Sequence, residues 1–336
     1  MRILIWSSAF HPSIGGLEAT SHMLAEEFDR NGHQVTVVTR TPSTNKDECS
    51  FEVVRRPHWR QMFQLVRACD VYLQNHISVT AAWPLLLLRR PWVVTHHTWI
   101  ERSGMRGFIK HFVLRFARSI SCSNDIAAGV KAPSTVIGSP YDDRVFQPMP
   151  EVRREKDLIF VGRLSREKGA HILLDALRLL KAEGVEPGLT VVGEGPERDK
   201  LAQQTHDLGI GGQVTFEGSK ESREIAVLLN QHRILAVPSA YREPFGIVAL
   251  EGIACGCVVV GSEGGGLKDV IGPCGTTFPN GDSSALASCL AIVLRERDTP
   301  RKYQDRAAVH LRSFTRATVA RSYLKVLESS YASINS

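Results

Sequence analysis

Tyr241–Gly256, YREPFGIVALEGIACG, lies between two apolar runs, Ile234–Pro238 and Cys257–Val260. Pro244 cannot donate to a strand ladder, and Gly246 tolerates backbone angles closed to other residues. A strand is therefore expected to end near Ser239, turn, and enter a helix at about Gly246. The free amides at such a helix start, reinforced by its dipole, make a seat for phosphate oxygens. Glu243 falls in the turn, and Glu251 stands five residues past Gly246, roughly 7 to 8 Å along the helix. Two carboxylates bracketing an anion seat suit a ligand with hydroxyls at both ends and phosphates between, as in a sugar nucleotide. A buried helix with a solvated Glu at each end has the same spacing, and this stretch alone does not separate the two.

Outward from it, apolar runs alternate with helical stretches along the whole chain. Ile3–Trp6, Gln34–Thr39, Phe51–Arg55, Val71–Gln74, Trp92–Thr95, Ile120–Cys122 and Thr135–Ile137 read as strands, and Gly16–Asn31 reads as a helix closed by Gly32. Between Ser139 and Lys156 the sequence turns rich in proline and charge and loses its period, which marks a linker. The alternation then restarts with strands at Leu158–Val161, Leu189–Val192, Val214–Glu217, Ile234–Pro238, Cys257–Gly261 and Thr276–Phe278, and a helix over Ala170–Glu183. This pattern predicts an α/β protein of two doubly wound halves, residues 1–145 and 146–313, with a helical tail, 314–336, crossing back to the first half. Ligands of such folds sit beyond the carboxyl ends of the strands, so a two-domain version is expected to bind between its halves.

Composition narrows the classes. A chain of 336 residues, 43% hydrophobic and 23% charged, has material for two cores. The opening MRILIWSSAF has too short an apolar run for a signal peptide and reads as a buried strand. Ala81–Leu88 is interrupted by Pro84 and falls far short of the roughly 20 residues of a membrane span. Seven cysteines without a C-x-x-C suggest a reducing cytoplasm and no zinc site. The net charge of +6 belongs mostly to the first half, where 17 Lys and Arg face 12 Asp and Glu in residues 1–150. It is densest in Arg102–Arg118, whose Met105, Phe108, Ile109, Phe112 and Phe116 share a helical face. Such a helix either lies on an anionic membrane or packs into the core with a solvated back. No nucleic-acid motif accompanies the basic residues.

Five motifs then carry a resemblance: IGG at Ile14–Gly16, THHT at Thr95–Thr98, FVGRLSREKG at Phe160–Gly169, VVGEGPERDKL at Val191–Leu201 and EPFGIVALE at Glu243–Glu251. In this order they resemble the retaining glycosyltransferases of family 4, with the GT-B fold of two Rossmann-like domains. The resemblance implies transfer of a sugar from a nucleoside diphosphate to a hydroxyl acceptor, glycan, small molecule or lipid-linked, without metal or other cofactor. It implies that Arg163 and Lys168 hold the diphosphate and that Gly15 and Gly16 lie against the donor phosphates and acceptor. Glu243 and His97 would contact the transferred sugar, and Glu251 the ribose. Backbone at Phe245, Gly246, Ile247 and Val248 would approach sugar and phosphate. Of the adjacent histidines only one can reach the ligand, since neighbours on a strand face opposite ways; His96 is expected to pack. Lys268 stands where many relatives carry proline. A sugar-nucleotide epimerase and a non-catalytic sugar-nucleotide-binding module are the alternatives. The expected location is the cytoplasm, with residues 102–118 able to touch the inner face of a membrane.

Overall fold

The computed structural model describes residues 1–12, 15–42, 49–100, 104–295 and 299–335. The chain divides into two compact units, Met1–Pro140 with Thr315–Ser336, and Tyr141–Phe314.

The first unit holds seven strands: β1 (Arg2–Ser7), β2 (Gln34–Thr39), β3 (Glu52–Arg55), β4 (Val71–Asn75), β5 (Trp92–His96), β6 (Arg118–Ser121) and β7 (Ser134–Val136). They pair in the order β3-β2-β1-β4-β5-β6-β7, all parallel. The second unit holds β8 (Lys156–Val161), β9 (Leu189–Val192), β10 (Val214–Gly218), β11 (His232–Val237), β12 (Val258–Ser262) and β13 (Gly275–Phe278). Their order is β10-β9-β8-β11-β12-β13, again parallel. Each apolar run read as a strand forms one, with ends moved by a residue or two. Ile3, Leu4 and Ile5 are buried without alternation, as are Val258, Val259 and Val260, because helices cover both faces of each sheet.

Helices α1 (Gly16–Arg30), α2 (Trp59–Ala68), α3 (Val79–Ala82), α4 (Gly104–Val113) and α5 (Asn124–Gly129) dress the first sheet. The second carries α6 (Ala170–Ala182), α7 (Arg198–Asp207), α8 (Ser222–Gln231), α9 (Ile247–Ala254), α10 (Leu267–Ile271), α11 (Ser283–Arg295) and α12 (Thr299–Leu311). The last helix, α13 (Arg316–Asn335), belongs to the first unit. Its Val319, Ala320, Tyr323, Leu324 and Leu327 join Ile3, Leu24, Phe28 and Val93 in one core, while the buried Arg316 meets Glu26 and Glu27 of α1.

The units divide at Pro140/Tyr141 and Phe314/Thr315. The aperiodic stretch that follows the first division is bound to the second unit. Met149 N–H donates to Asn230 Oδ1 at 2.9 Å, Asn230 Nδ2 donates to the Gln147 carbonyl at 3.1 Å, and Tyr141 N–H donates to the Phe314 carbonyl at 3.2 Å.

One expectation is corrected. The basic helix stops at Val113, a 3-10 turn covers Leu114–Phe116, and Arg118 opens β6 in register with Val93. The packing alternative for its apolar face also fails, since Met105 is 74% exposed and Phe108 69%, and the helix buries Gly107 and His111 instead. Arg102 and Ile14 lie outside the described residues.

In both sheets the strand order reverses beside the first strand, between β1 and β4 and between β8 and β11. The loops that leave these strands diverge there and open the crevice that ligands use.

Candidate functional site

In the second unit the crevice is framed by the loop after β8, which carries Arg163 and Lys168, and the loop after β11, which carries Glu243 and leads into α9. Two glycines make this local geometry possible. Gly169 is left-handed at φ 74°, and a Cβ there would run into the Pro238 carbonyl, so the two loops lie backbone to backbone; Ala240 N–H donates to the Glu167 carbonyl at 2.8 Å. Gly246 is left-handed at φ 89° and turns the chain into α9.

Lys168 Nζ lies 2.8 Å from Glu243 Oε2 and 3.0 Å from Oε1, and Ser239 Oγ donates to the same carboxylate at 2.9 Å. The two motif residues are thereby held as an ion pair across the crevice of this unit. Arg163 is exposed and has no side-chain partner among the described residues. The first amides of α9 lack intrahelical acceptors, as at any helix start. Phe245 buries its ring against Phe314, centroids 5.9 Å apart, so only its backbone is available to a ligand. Ile247 and Val248 begin the helix half-buried, and Glu251 follows Ile247 by one turn on the same face.

Glu251 is half-buried, and its carboxylate has no partner among the described residues. Burial, helped by the Asp142 carboxylate, pushes its pKa up to about 7. A side chain in this state is short of donors, which hydroxyl groups would supply.

In the first unit, Gly15 and Gly16 are exposed at the start of α1. Gly15 is extended, and a side chain there would meet the Glu18 carboxylate. His97 follows β5 at the carboxyl edge of the sheet. Its Nε2 donates to Asn75 Oδ1 at 2.6 Å and lies 3.1 Å from Thr95 Oγ1. Thr95 Oγ1 donates to Asn75 Oδ1 at 2.6 Å, and Asn75 Nδ2 donates to Ser21 Oγ. This fixes the His97 tautomer and leaves Nδ1 without a partner among the described residues. Burial and the neighbouring His76 lower the imidazole pKa to about 4, so it is neutral at pH 7. His96 is fully buried on the other face, its Nε2 3.1 Å from Ser119 Oγ.

Two residues of the arrangement were absent from the sequence reading. Asn75 orients His97. Asn280 knits the second crevice, accepting from Gly264 N–H at 2.8 Å and donating to the carbonyls of Ser239 and Tyr241 at 2.9 Å each. Asn75 had a signal, as the polar residue ending the apolar run VYLQN; Asn280 had none beyond its turn. Among the described residues no three His, Cys, Asp or Glu side chains converge as metal ligands.

Two parallel sheets of this kind in one chain, together with the likeness to the solved structures below, place the fold in the GT-B class. HepE of Anabaena, solved with UDP and glucose, superposes with a TM-score of 0.83 at 22% identity, covering 98% of this chain and all of that one. WaaG, a glycosyltransferase of lipopolysaccharide biosynthesis, superposes with a TM-score of 0.73 at 17% identity, covering 97% and 99%. The family models for glycosyl transferases group 1 and glycosyltransferase family 4 match residues 142–310 and 14–137. Glycogen synthase of Mycobacterium tuberculosis is 36% identical over 91% of this chain and 88% of its own length. A GDP-mannose-dependent phosphatidylinositol monomannoside mannosyltransferase of Mycolicibacterium smegmatis is 28% identical over 88% and 89%. The chain belongs to the group 1 glycosyltransferases and is an enzyme of that type.

Proposed function

We propose that the chain moves a sugar from a nucleoside-diphosphate sugar to a hydroxyl acceptor with retention of anomeric configuration and without a metal. The observation that carries this is the bare start of α9, flanked by the Lys168–Glu243 pair, the free Arg163 and the donor-starved Glu251. In the reaction the bond between the anomeric carbon and the phosphate oxygen breaks, and its electron pair leaves with the diphosphate. Arg163, Lys168 and the α9 amides take up that charge in a fixed arrangement. The acceptor oxygen bonds to the anomeric carbon from the face the diphosphate leaves, and its proton passes to a phosphate oxygen. Glu251 accepts from the ribose hydroxyls. Glu243, set in place by Lys168, and His97, through Nδ1, accept from hydroxyls of the transferred sugar. UDP in HepE and GDP-mannose in the mycobacterial relative support a nucleotide-sugar donor.

Screening UDP, GDP and ADP for a rise in melting temperature identifies the base. Lys168→Ala is expected to weaken binding of the nucleotide so identified at least tenfold with the fold intact; unchanged affinity by calorimetry removes Lys168 from the phosphate site. Nucleoside diphosphate released only with acceptor confirms transfer, whereas an altered nucleotide sugar without acceptor means an epimerase, and binding without turnover a binding module.

We also propose peripheral contact with an anionic membrane, with the enzyme in the cytoplasm. No helix among the described residues is long and apolar enough to span a bilayer. Leu86, Leu87, Met105, Phe108 and Phe116 are all exposed, near a cavity of about 820 Å³ lined by Trp83, Leu85, Leu88, Phe112 and Ile334 with Arg89 and Arg90. This patch borders the amino ends of β5 and β6, and His97 stands past the other end of β5, so a lipid seated there is anchored away from the reacting centre.

A further inference from the structure

A second cavity, of about 530 Å³, opens at the carboxyl edge of the first sheet, on the β2 and β3 side of Asn75 and His97. Trp6 from β1, Arg40 after β2, Arg56 after β3 and Trp59 and Trp83 line it, with Thr80 between them. We propose that this cavity receives the anionic end of the acceptor, a phosphate borne on a sugar or sugar-like ring. The inference rests on the glycosyl-transfer reading above and narrows its acceptor.

Three observations carry it. First, neither arginine is paired with a carboxylate among the described residues. Arg40 has a long 3.4 Å contact to Thr80 Oγ1 and lies 5.7 Å from the centre of the Trp6 ring. Arg56 spends Nε on the Arg40 carbonyl at 3.0 Å, which steadies its guanidinium and leaves the outer N–H groups without a partner among the described residues. Two guanidinium groups lining one cavity give it a positive charge that an anion would offset, and their forked donors match phosphate oxygens. Second, Arg56 sits in the left-handed region at φ 49° although it is no glycine and precedes proline. The one other such residue among those described, His76, borders the same edge. Backbone held in so unfavourable a form is typical of places where a side chain must be aimed. Third, Trp59, 63% exposed with the Arg60 guanidinium over its ring, and Trp83, stacked on Phe63, line the cavity with their remaining indole surface, the kind of flat apolar face on which a pyranose ring rests. An uncharged glycan would use the tryptophans and could take hydrogen bonds from the arginines, but would not supply the charge that pairs with them.

The test follows tryptophan emission, since three of the five tryptophans line the cavity. The full chain is titrated with glucose 6-phosphate, glucose and inorganic phosphate. Glucose 6-phosphate is expected to bind at least tenfold more tightly than either fragment, and Arg40→Ala or Arg56→Ala to weaken it at least tenfold. Arg56→Gly accepts the left-handed backbone, so it should melt no lower than the parent and still lose the sugar phosphate. All three substitutions leave nucleoside-diphosphate binding unchanged. Equal affinity for glucose and glucose 6-phosphate, no response at tens of millimolar, or full affinity in the arginine variants overturns the proposal. Short-chain phosphatidylinositol below its micelle concentration tells the sources apart. Tighter binding than glucose 6-phosphate, lost with either arginine, assigns the site to a lipid headgroup, and weaker binding assigns it to a soluble sugar phosphate. If no nucleotide stabilises the parent enzyme, it is the glycosyl-transfer reading that falls, whatever happens in this cavity.

Discussion

Glu251 ties binding to pH with a definite sign. An unfolded chain ionises this group above its ordinary pKa of 4.5, whereas the folded enzyme keeps the proton until about 7. The group is therefore neutral in both states at low pH and becomes a liability as pH rises through that interval, amounting to about 3 kcal/mol above pH 7. Glu251→Gln should melt higher than the parent in mild alkali. Hydroxyl donors favour the carboxylate, so nucleotide binding must expel the proton, and affinity should fall by up to about tenfold per pH unit below 7. The phosphate of the ligand titrates for parent and variant alike, so the difference between them in calorimetry isolates Glu251; identical profiles would place the carboxylate elsewhere. Asn75 acts at the same scale, through His97. Asn75→Ala should slow turnover by about tenfold to a hundredfold with nucleotide affinity intact, at a stability cost of about 1 to 3 kcal/mol for the polar groups it strands. Asn75→Asp supplies a charged acceptor to Nε2, and should raise the pKa of His97 and move the acid limb of the rate profile upward; a profile that stays put reduces Asn75 to a structural role. Glu251 is singled out in the sequence by its offset from Gly246, whereas His97 and Lys168 are picked through the motifs that carry the family resemblance. Asn75 could not be matched to His97, because their hydrogen bond joins two strands whose adjacency only the sheet order reveals.

At the scale of elements, α4 shows where reading a sequence stops. Its 3.6-residue period fixed which side chains share a face, and they do, but period says nothing about which way that face turns. The structure leaves it in solvent because the sheet beside it is already covered, and because β6 claims Arg118–Ser121 and cuts the helix short. An exposed apolar row flanked by Arg106, Lys110 and Arg115 matches an anionic interface, each basic residue near it contributing about 1 kcal/mol. Arg106→Glu with Lys110→Glu should therefore abolish sedimentation with vesicles containing phosphatidylserine, and should not alter nucleotide binding. Parent enzyme that stays in the supernatant at low salt would remove the membrane from the account. The start of α9 was read more fully, because Pro244 and Gly246 constrain the backbone by themselves. The Lys168–Glu243 bond behind it depends on Gly169 admitting the Pro238 carbonyl, a contact between loops about 70 residues apart.

The chain as a whole is two folding problems with different closures. Every strand of the second unit lies within Tyr141–Phe314, and so do Arg163, Lys168, Glu243, Glu251 and the Asn280 clasp. The first unit is completed from the far end of the sequence, where α13 places Tyr323, Leu324 and Leu327 against α1 and the sheet and neutralises the buried Arg316 with Glu26 and Glu27. Each of those three apolar side chains contributes about 1.5 to 3 kcal/mol through burial, a sum comparable to the whole stability of a domain. The double alternation of strands and helices made both sheets legible, and the polar break after Ser139 reads as a linker; the units divide at Pro140/Tyr141. An amphipathic helix fits either core; the tail is expected to return to the first half, and α13 belongs to that unit. Residues 141–314 expressed alone should fold cooperatively and bind the nucleoside diphosphate within about tenfold of the full chain, since its proposed contacts are local to that unit. Residues 1–140 alone should not fold, and adding a peptide of residues 315–336 should restore a cooperative melt. If the 141–314 fragment folds but binds no nucleotide, the phosphate seat cannot be the one built from the β8 loop, the β11 loop and α9.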